Sequence, residues 1–324
     1  MPITRRQTLA LPLAALPVTA GAQTAAFPER NIRYIVPFTP AGLTDIMARL
    51  VAQRLGETWN RAVVVENRAG GNALIGADAA AKSPPDGHTL LAITLTHAVN
   101  VSLFPNAPYD LMRDFVPVSV LGSLPLVICV NPANPARTLA DLMAQARVRV
   151  LNGGSSGNGS PPHLGLELFR RVSGGGGNIT HVPYRGGAPS VTDLVAGNLD
   201  LLVSNLPECL GQLQSGRLRG LAVTGAARHR LTPDIPTAAE AGAPELEMTN
   251  WTAMLTNTAV PRAAFLEISR ATQLALRDPE TRRRAEDGGF DILSWDSDRS
   301  RAFMTQEVTR WGQLVREAGI RADG

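Results

Sequence analysis

Short apolar or β-branched runs bounded by turn residues alternate with stretches that repeat at helical spacing along most of the chain. The runs that predict strands are 32–36, 62–66, 89–94, 126–130, 148–151, 179–182, 199–203, 218–223 and 251–256. The first predicted helix begins behind Thr44, a good N-cap residue, and its apolar positions are Ile46, Leu50, Val51 and Leu55. This alternation predicts an α/β fold whose parallel-rich sheets are flanked by helices on both faces.

Two later segments carry further helix signals. Thr138 is followed three positions on by Asp141, a spacing that resembles a capping box. Near the C-terminus an apolar stripe predicts a long helix that docks on the rest of the protein. Its members are Met304, Val308, Trp311, Val315 and Ala318.

The predicted strands divide into two sets, each large enough for a sheet of its own. The strand 251–256 and the helices after it are expected to complete the first sheet. This predicts a domain I of residues 27–123 plus 251–324 and a domain II of residues 124–250. The chain would then cross between the domains near Ser123 and again near Asn250, and the two crossings would form a hinge.

Residues 1–22 have the pattern of a cleaved export signal. Arg5 and Arg6 precede a short apolar stretch, 9–18, and the small residues 20–22 fit a cleavage site. The paired arginines suit the twin-arginine route, and a general secretory signal is equally open. Either route predicts a periplasmic protein.

Composition narrows the classes of function. With 44% hydrophobic and 18% charged residues, the chain can bury a substantial core. Its 31 Lys and Arg against 28 Asp and Glu form no block of like charge, so nucleic acid is not expected as a partner. The Cys and His spacings typical of metal sites are absent from the sequence, so neither a metal nor a cofactor is predicted. Cys129 and Cys209 could form one disulfide or remain buried thiols, and the sequence leaves this open.

The turns after four predicted strands carry residue types that suit a small anion. In open parallel sheets, ligands bind beyond the carboxyl ends of the strands, where helix N-termini present unpaired amides. These turns combine Gly with Ser, Thr, Asn and Pro, and they are 37–45, 152–163, 183–189 and 203–207. Together they predict an anion-binding cleft.

Three histidines lie close to these turns. His97 follows the strand 89–94 and could either donate a hydrogen bond to a ligand or cap a turn. His163 and His181 are interpreted as structural, since one begins a helix and the other lies at the end of a strand.

One motif favours an enzyme instead. Residues 153–157 match G-x-S-x-G, the nucleophile elbow of serine hydrolases, with Ser155 as the nucleophile. Residues 158–162 separate the motif from the next predicted helix, and no later Asp and His are evidently placed to complete a triad. An exported serine hydrolase is therefore kept as the alternative function.

Ordered motifs span nearly all of the chain beyond the signal. They include IVPF at 35–38, PAGLTD at 40–45, VVENR at 64–68, PDGHTLL at 85–91, SGNGS at 156–160, HVPYRG at 181–186 and NLP at 205–207. This set resembles the Bug family, the periplasmic solute receptors of tripartite tricarboxylate transporters. The resemblance implies a two-domain, type II (Venus-flytrap) periplasmic binding protein that closes on a small carboxylate without reacting with it.

The resemblance also implies a site and partners. In the family, the turn matching Phe38 to Asp45 faces the turn matching Ser155 to Ser160 across the cleft, and backbone amides and hydroxyls hold a ligand carboxylate. The implied function is a receptor, expected to be monomeric, that delivers a mono-, di- or tricarboxylate to the membrane components of the transporter. A ligand sensor for a signalling system would use the same binding residues and stays a second alternative.

The turn pattern and the resemblance together give the expected ligand-binding residues. They are Phe38, Thr39, Ala41, Gly42, Thr44, Asp45, His97, Ser155, Ser156, Gly157, Asn158, Gly159, Ser160, Arg185 and Ser204. Two of them depart from the family pattern. The family usually has two glycines where Ala41 and Gly42 stand, and many members have an acidic residue in place of Ser204. Loss of that acid is expected to disfavour a cationic ligand group such as an amine.

Overall fold

The computed structural model describes residues 27–174 and 178–322, so the predicted export signal, residues 1–22, lies outside the described residues. The strands are β1 (Ile32–Val36), β2 (Val63–Asn67), β3 (Thr89–Thr94), β4 (Phe115–Val130), β5 (Leu151–Ser155), β6 (Ile179–Pro183), β7 (Leu201–Asn205), β8 (Arg219–Val223), β9 (Thr249–Asn257) and β10 (Asp291–Ile292). The helices are α1 (Leu43–Trp59), α2 (Leu74–Ala81), α3 (Leu95–Leu103), α4 (Leu111–Asp114), α5 (Leu139–Val148), α6 (Pro161–Val172), α7 (Gly187–Ala196), α8 (Leu206–Gln214), α9 (Arg262–Arg277), α10 (Pro279–Asp287) and α11 (Ser297–Glu317).

These strands form a mixed sheet with two halves. The first half has the order β2-β1-β3-β9-β4 and the second the order β4-β7-β5-β6, while β8 and β10 also pair with β4. β1 runs parallel to β2 and β3, and β5 runs parallel to β6 and β7. β4 and β9 run antiparallel to their neighbours. The predicted parallel strands therefore occupy the outer part of each half, and antiparallel strands join the halves.

The long strand β4 belongs to both halves. Its 16 residues pair first with β9, as far as Pro125, and then from Leu126 onward with β7 and β8. The chain returns from the second half to the first after Met248, whose amide donates to Thr224 O at 2.9 Å. β9 begins one residue later. Both changes of partner lie close to Ser123 and Asn250, the residues at which the sequence predicts the crossings.

Helices cover both faces of the second half. On one face α6 buries Leu164 and Leu166 in a core that also contains Val203. On the other face α7 and α8 bury Leu194 and Cys209. Cys209 and Cys129 are both free, buried thiols there, with their Sγ atoms 3.9 Å apart.

The first helix differs in detail from its prediction. It begins at Leu43, with Gly42 as the N-cap, so Thr44 lies inside the first turn and is not the cap. The buried face is formed by Met47, Leu50, Val51 and Leu55, whereas Ile46 is 40% exposed. The real apolar stripe is therefore shifted by one residue at its start.

The strand predicted at 148–151 is wrong. Val148 ends α5 and is 83% exposed, and β5 covers Leu151–Ser155 instead. The interior of β5 is glycine because neighbouring side chains fill the space where a Cβ would stand. A Cβ on Gly153 would lie 2.6 Å from Leu166 Cδ1, and one on Gly154 would lie 2.6 Å from Leu199 Cδ1.

Two helix predictions are confirmed. Thr138 and Asp141 form the capping box of α5, each accepting a hydrogen bond from the backbone of the other. α11 docks through Met304, Trp311 and Val315, which are buried in the same core as α6. Among the described residues, none of the helices combines the length and apolar character needed to cross a bilayer.

Candidate functional site

The predicted turns lie at the carboxyl ends of parallel strands in both halves, and the two halves touch beside them. In the loop between β5 and α6, a Cβ on Gly159 would lie 2.6 Å from Leu103 Cδ2 and 3.4 Å from Asn72 Nδ2, both in the first half. Gly159 has φ +69°, so its conformation and its surroundings both disfavour a side chain. The structure thus brings the loop 156–160 against α3 and against Asn72, which lies between β2 and α2.

Asp45 organises the first turn from within. Its Oδ2 accepts a hydrogen bond from Ala41 N at 2.9 Å, and its Oδ1 accepts one from Asn67 Nδ2, also at 2.9 Å. Arg49 Nε donates to the same carboxylate at 2.8 Å. Burial raises the pKa of Asp45, but the hydrogen bonds from Arg49, Asn67 and Ala41 outweigh it and hold the pKa below its ordinary value. Both carboxylate oxygens therefore act inside the turn.

The other residues of the first turn surround an uncapped helix end. Thr39 and Ala41 are exposed and Phe38 is half-buried, while Thr44 is buried within α1. Gly42, the N-cap of α1, offers no side-chain cap, so the first amides of this helix lack the usual hydroxyl or carboxylate acceptor. A helix end of this kind attracts an anion through its unpaired amides and its dipole.

His97 caps α3, which realises one of its two predicted roles. Its Nδ1 accepts a hydrogen bond from Thr94 N at 3.2 Å, and Thr94 completes the capping box. Burial lowers the pKa of His97 to about 3, so the ring is neutral and its proton is on Nε2. That buried Nε2 finds no hydrogen-bond partner in the described ranges, and the ring stands edge-to-face with Phe38 at 5.9 Å.

The loop 156–160 is held largely by its own hydrogen bonds. Ser160 is the N-cap of α6: its Oγ accepts from His163 N at 3.3 Å and donates to Gly157 O at 2.6 Å. His163 Nδ1 accepts from Gly159 N at 3.0 Å. Ser156 is half-buried, and its hydroxyl makes no hydrogen bond with the described part of the chain. Ser156 is therefore the hydroxyl of this loop that is best placed to meet a ligand.

Ser155 lies beside His181, a pairing that the sequence did not predict. Ser155 Oγ and His181 Nε2 are 2.6 Å apart, and the His181 ring stacks on His163 at 3.8 Å. Burial and the neighbouring His163 lower the pKa of His181 to about 4. Ser155 is 0% exposed and its Oγ also accepts from Gly157 N at 3.1 Å. A buried hydroxyl engaged in this way holds the loop and does not resemble an exposed nucleophile.

The remaining two turns contribute one cation and one acid. Arg185, after β6, is exposed and forms no ion pair with the described residues. Ser204 Oγ donates to Glu208 Oε2 at 2.8 Å, and Asn205 Nδ2 donates to Glu208 Oε1 at 3.1 Å. Glu208, one helical turn further on, therefore places a carboxyl group beside Ser204. Glu208 was not among the predicted residues, although its N-x-x-E spacing behind Asn205 is typical of a capping box.

The donors of the site are suited to a small anion. Backbone amides at the start of α1, the Ser156 hydroxyl and the Arg185 guanidinium can each donate hydrogen bonds. Across residues 27–174 and 178–322, three or more His, Cys, Asp or Glu side chains nowhere gather in a way that could hold a metal ion.

A family model described as "Tripartite tricarboxylate transporter family receptor" (TctC) matches residues 47–320. The chain belongs to this receptor family. It is 36% identical to the protein BugT of Bordetella pertussis over 313 residues, which is 95% of each chain. The predicted assignment to the Bug family is confirmed.

Solved structures of similar proteins share the fold. The protein Rpa4515 of R. palustris, solved with adipate, has a TM-score of 0.83 and 34% identity over 91% of this chain and 99% of its own. MatC from Rhodopseudomonas palustris, solved with bound malate, has a TM-score of 0.80 and 27% identity over 89% of this chain and 100% of its own. The predicted fold class, an α/β two-domain periplasmic binding protein of type II, is confirmed.

Proposed function

We propose that this protein is a periplasmic solute receptor that binds a small carboxylate in a cleft between two domains and performs no chemistry on it. The observation that carries the proposal is the uncapped N-terminus of α1 at Gly42. Phe38, in the same turn, packs on His97 of α3, the helix that the loop 156–160 of the second half also meets. An unpaired set of helix amides is a ready anion site, and a carboxylate fits it. The relatives solved with adipate and malate support a carboxylate as ligand.

The proposed division of the chain follows the strands that join the halves. Domain I consists of residues 27–123 and 251–324, domain II of residues 124–250, and the crossings near Ser123 and Asn250 form the hinge. β4 and β9 pass through these points, so bending there would move the loop 156–160 towards or away from the first turn. Ligand would favour closure because it contacts both domains only when they approach.

The fifteen residues predicted from the sequence divide into contacts and supports. We assign direct ligand contact to Thr39, Ala41, Gly42, Ser156, Gly157, Asn158 and Arg185. The others hold these groups in place or shape the cleft, and they are Phe38, Thr44, Asp45, His97, Ser155, Gly159, Ser160 and Ser204. Ser160, for example, caps α6, and Asp45 fixes the backbone of Ala41.

Partners and location follow from the family. We propose export by the cleaved signal in residues 1–22, a monomeric receptor in the periplasm, and delivery of ligand to the membrane components of a tripartite tricarboxylate transporter. A sensor in a signalling system would bind the same ligand, so uptake of labelled ligand by cells with and without the receptor separates transport from sensing.

Calorimetry on the mature chain with mono-, di- and tricarboxylates tests the binding function. The variant Gly42→Val should lose binding, because its side chain would block approach to the amides of α1. The fold should tolerate the change, since Gly42 has φ −77° and a Cβ there would lie 3.5 Å from Thr39 O, an ordinary contact. The matched control Gly211→Val, in a helix position with no atom within 4 Å of the added Cβ, should bind normally.

Two outcomes would count against the proposal. Normal affinity in Gly42→Val would remove the α1 end from the site. Ester hydrolysis that is lost in Ser155→Ala would favour the hydrolase, for which the Ser155–His181 distance of 2.6 Å is the supporting observation. X-ray scattering adds an independent check, because closure on a ligand should reduce the radius of gyration.

A further inference from the structure

Glu208 is an acid that lacks a cationic partner. Its two oxygens accept hydrogen bonds from neutral groups, Ser204 Oγ at 2.8 Å and Asn205 Nδ2 at 3.1 Å. Within the described residues, none of the arginine, lysine or histidine side chains forms an ion pair with it. Burial raises the pKa of Glu208, and the hydrogen bonds from Ser204 and Asn205 oppose this only in part. A carboxylate in such a place is costly, which invites a functional explanation.

The carboxylate lies at the start of a neighbouring helix. α7 and α8 are side by side on one face of the second half, and Glu208, in the first turn of α8, reaches across to Gly187, the first residue of α7. A Cβ on Gly187 would overlap the Glu208 carboxylate, so glycine is needed for this approach. The N-cap of α7, Gly186, provides no side-chain cap. The protein's own acid thus occupies the anion-attracting end of α7.

Glu208 is also close to the boundary between the halves. It follows the carboxyl end of β7, the same sheet edge from which the loop 156–160 and the turn at Arg185 extend. The preceding residue, Pro207, meets the first half, since a Cβ on Gly289 would lie 2.7 Å from Pro207 Cγ. Glu208 is half-buried. Its carboxylate is therefore at the cleft edge of the second half.

When it is ionised, the Glu208 carboxyl group at this edge can select among ligands. A ligand carboxylate entering here would face a second carboxylate in a partly dry environment, where repulsion is stronger than in bulk water. A group that donates a hydrogen bond, such as a hydroxyl or an ammonium, would instead find an acceptor. We propose, on the basis of the proposed carboxylate-binding function, that Glu208 is a specificity-determining residue that excludes a second ligand carboxylate from the α7 end of the cleft and favours a hydrogen-bond donor there.

The test compares ligands of equal length that share one terminal carboxylate and differ in the group at the other end. Calorimetry on the mature chain uses butyrate, 4-hydroxybutyrate, 4-aminobutyrate and succinate, together with the corresponding six-carbon compounds. In wild type, the hydroxy or amino compound should bind more tightly than the dicarboxylate of equal length. In Glu208→Gln, which keeps the shape and removes the charge, this preference should fall by about tenfold or more.

Two further variants control for folding and position. Glu245→Gln makes the same chemical change at an exposed residue of the second half and should leave the preference unchanged. Gly187→Ala should displace the Glu208 carboxylate and lower the preference in the same direction as Glu208→Gln. Circular dichroism and thermal melting on each variant show whether the fold is kept.

The outcomes separate this inference from the function on which it rests. A preference for the hydroxy or amino compound that has the same size in wild type and in both Glu208→Gln and Gly187→Ala would overturn the role of Glu208 and leave the receptor function standing. Tighter binding of the dicarboxylate by wild type would also overturn it. If wild type binds none of the carboxylates in either length series, the proposed function fails, and the inference fails with it.

Discussion

Replacing Asp45 by Asn should weaken the fold of the first turn although no ligand is involved. The Asp45 side chain is only 3% exposed, and it accepts hydrogen bonds from Ala41 N, Asn67 Nδ2 and Arg49 Nε. Asn keeps the volume but has one acceptor oxygen in place of two. Either the amide of Ala41 or the side chain of Asn67 would then lose its partner.

The expected loss is worked from these contacts. A hydrogen bond to a charged group contributes roughly 1.5–3 kcal/mol, so losing one costs about 2 kcal/mol. The Arg49 ion pair adds less than about 1 kcal/mol, because Arg49 is 53% exposed and solvent screens the pair. The free energy of unfolding of Asp45→Asn should therefore be lower than that of wild type by about 2–3 kcal/mol at neutral pH.

The loss should depend on pH with a definite sign. The pKa of Asp45 is below its ordinary value in the folded protein, so the carboxylate contributes stability above the unfolded pKa of about 3.9. That contribution is lost as the pH falls through the folded pKa. The difference between wild type and Asp45→Asn should therefore shrink as the pH falls below about 5 and through the folded pKa, because Asn has no charge to lose.

Urea unfolding of both proteins across this pH range measures the difference. Asp234→Asn is the matched control, since Asp234 is exposed and makes no hydrogen bond or ion pair with the described residues. Its stability should follow that of wild type at every pH. A difference between wild type and Asp45→Asn that is absent at neutral pH, or that grows as the pH falls, would refute the role given to Asp45.

Three more predictions concern single side chains. Ala41 has φ 62°, a conformation that costs a non-glycine residue roughly 1–2 kcal/mol. Ala41→Gly should therefore raise the free energy of unfolding in urea by up to about 1 kcal/mol, because the greater entropy of glycine in the unfolded chain offsets part of the gain. A lower free energy of unfolding would contradict this. Ser156→Ala should weaken ligand binding about fivefold and leave the melting temperature unchanged. Ser160→Ala should instead lower the melting temperature, because it removes an N-cap worth about 1 kcal/mol. Equal losses of binding in calorimetry would contradict the assignment of Ser156 to ligand contact and of Ser160 to support. Gly153→Ala places a Cβ 2.6 Å from Leu166 Cδ1 and should lower the free energy of unfolding in urea by roughly 1–3 kcal/mol. A variant as stable as wild type would mean that α6 shifts freely.

Sequence periodicity locates elements whose buried side chains are large and regular. β1 and β3 have the predicted bounds because their apolar runs face cores on both sides. β5 was misplaced because its buried interior is Gly153 and Gly154, which leave no apolar signal. The first part of β4 was missed because Pro117 and Pro125 argue against an interior strand. The structure accommodates Pro117 beside a shift of register opposite β9 and Pro125 at the end of that pairing.

The site shows a similar division. Turns after strands are local features, so the sequence could propose Gly42, Ser156 and Arg185 from residue type and position alone. The pairing of Ser155 with His181 joins residues 26 positions apart and depends on the register between β5 and β6. The assignment of Asp45 and Ser160 to the support of the turns likewise required the hydrogen bonds, because carboxylates and hydroxyls suit a ligand and a backbone amide equally well.

The position of β9 between β3 and β4 has a consequence for how the chain folds. Thr256, in β9, donates through its Oγ1 to the carbonyl of Thr89, in β3, 167 positions earlier. The strands β1 to β3 therefore cannot reach their final neighbour until most of the polypeptide has been made, and closing so long a loop is slow. The strands β5 to β8 follow one another in the sequence. β7 and β8 pair with the end of β4, and β5 pairs with β6 and β7. Folding should thus begin in the middle of the chain, and the N-terminal strands should be the last to become protected from solvent exchange.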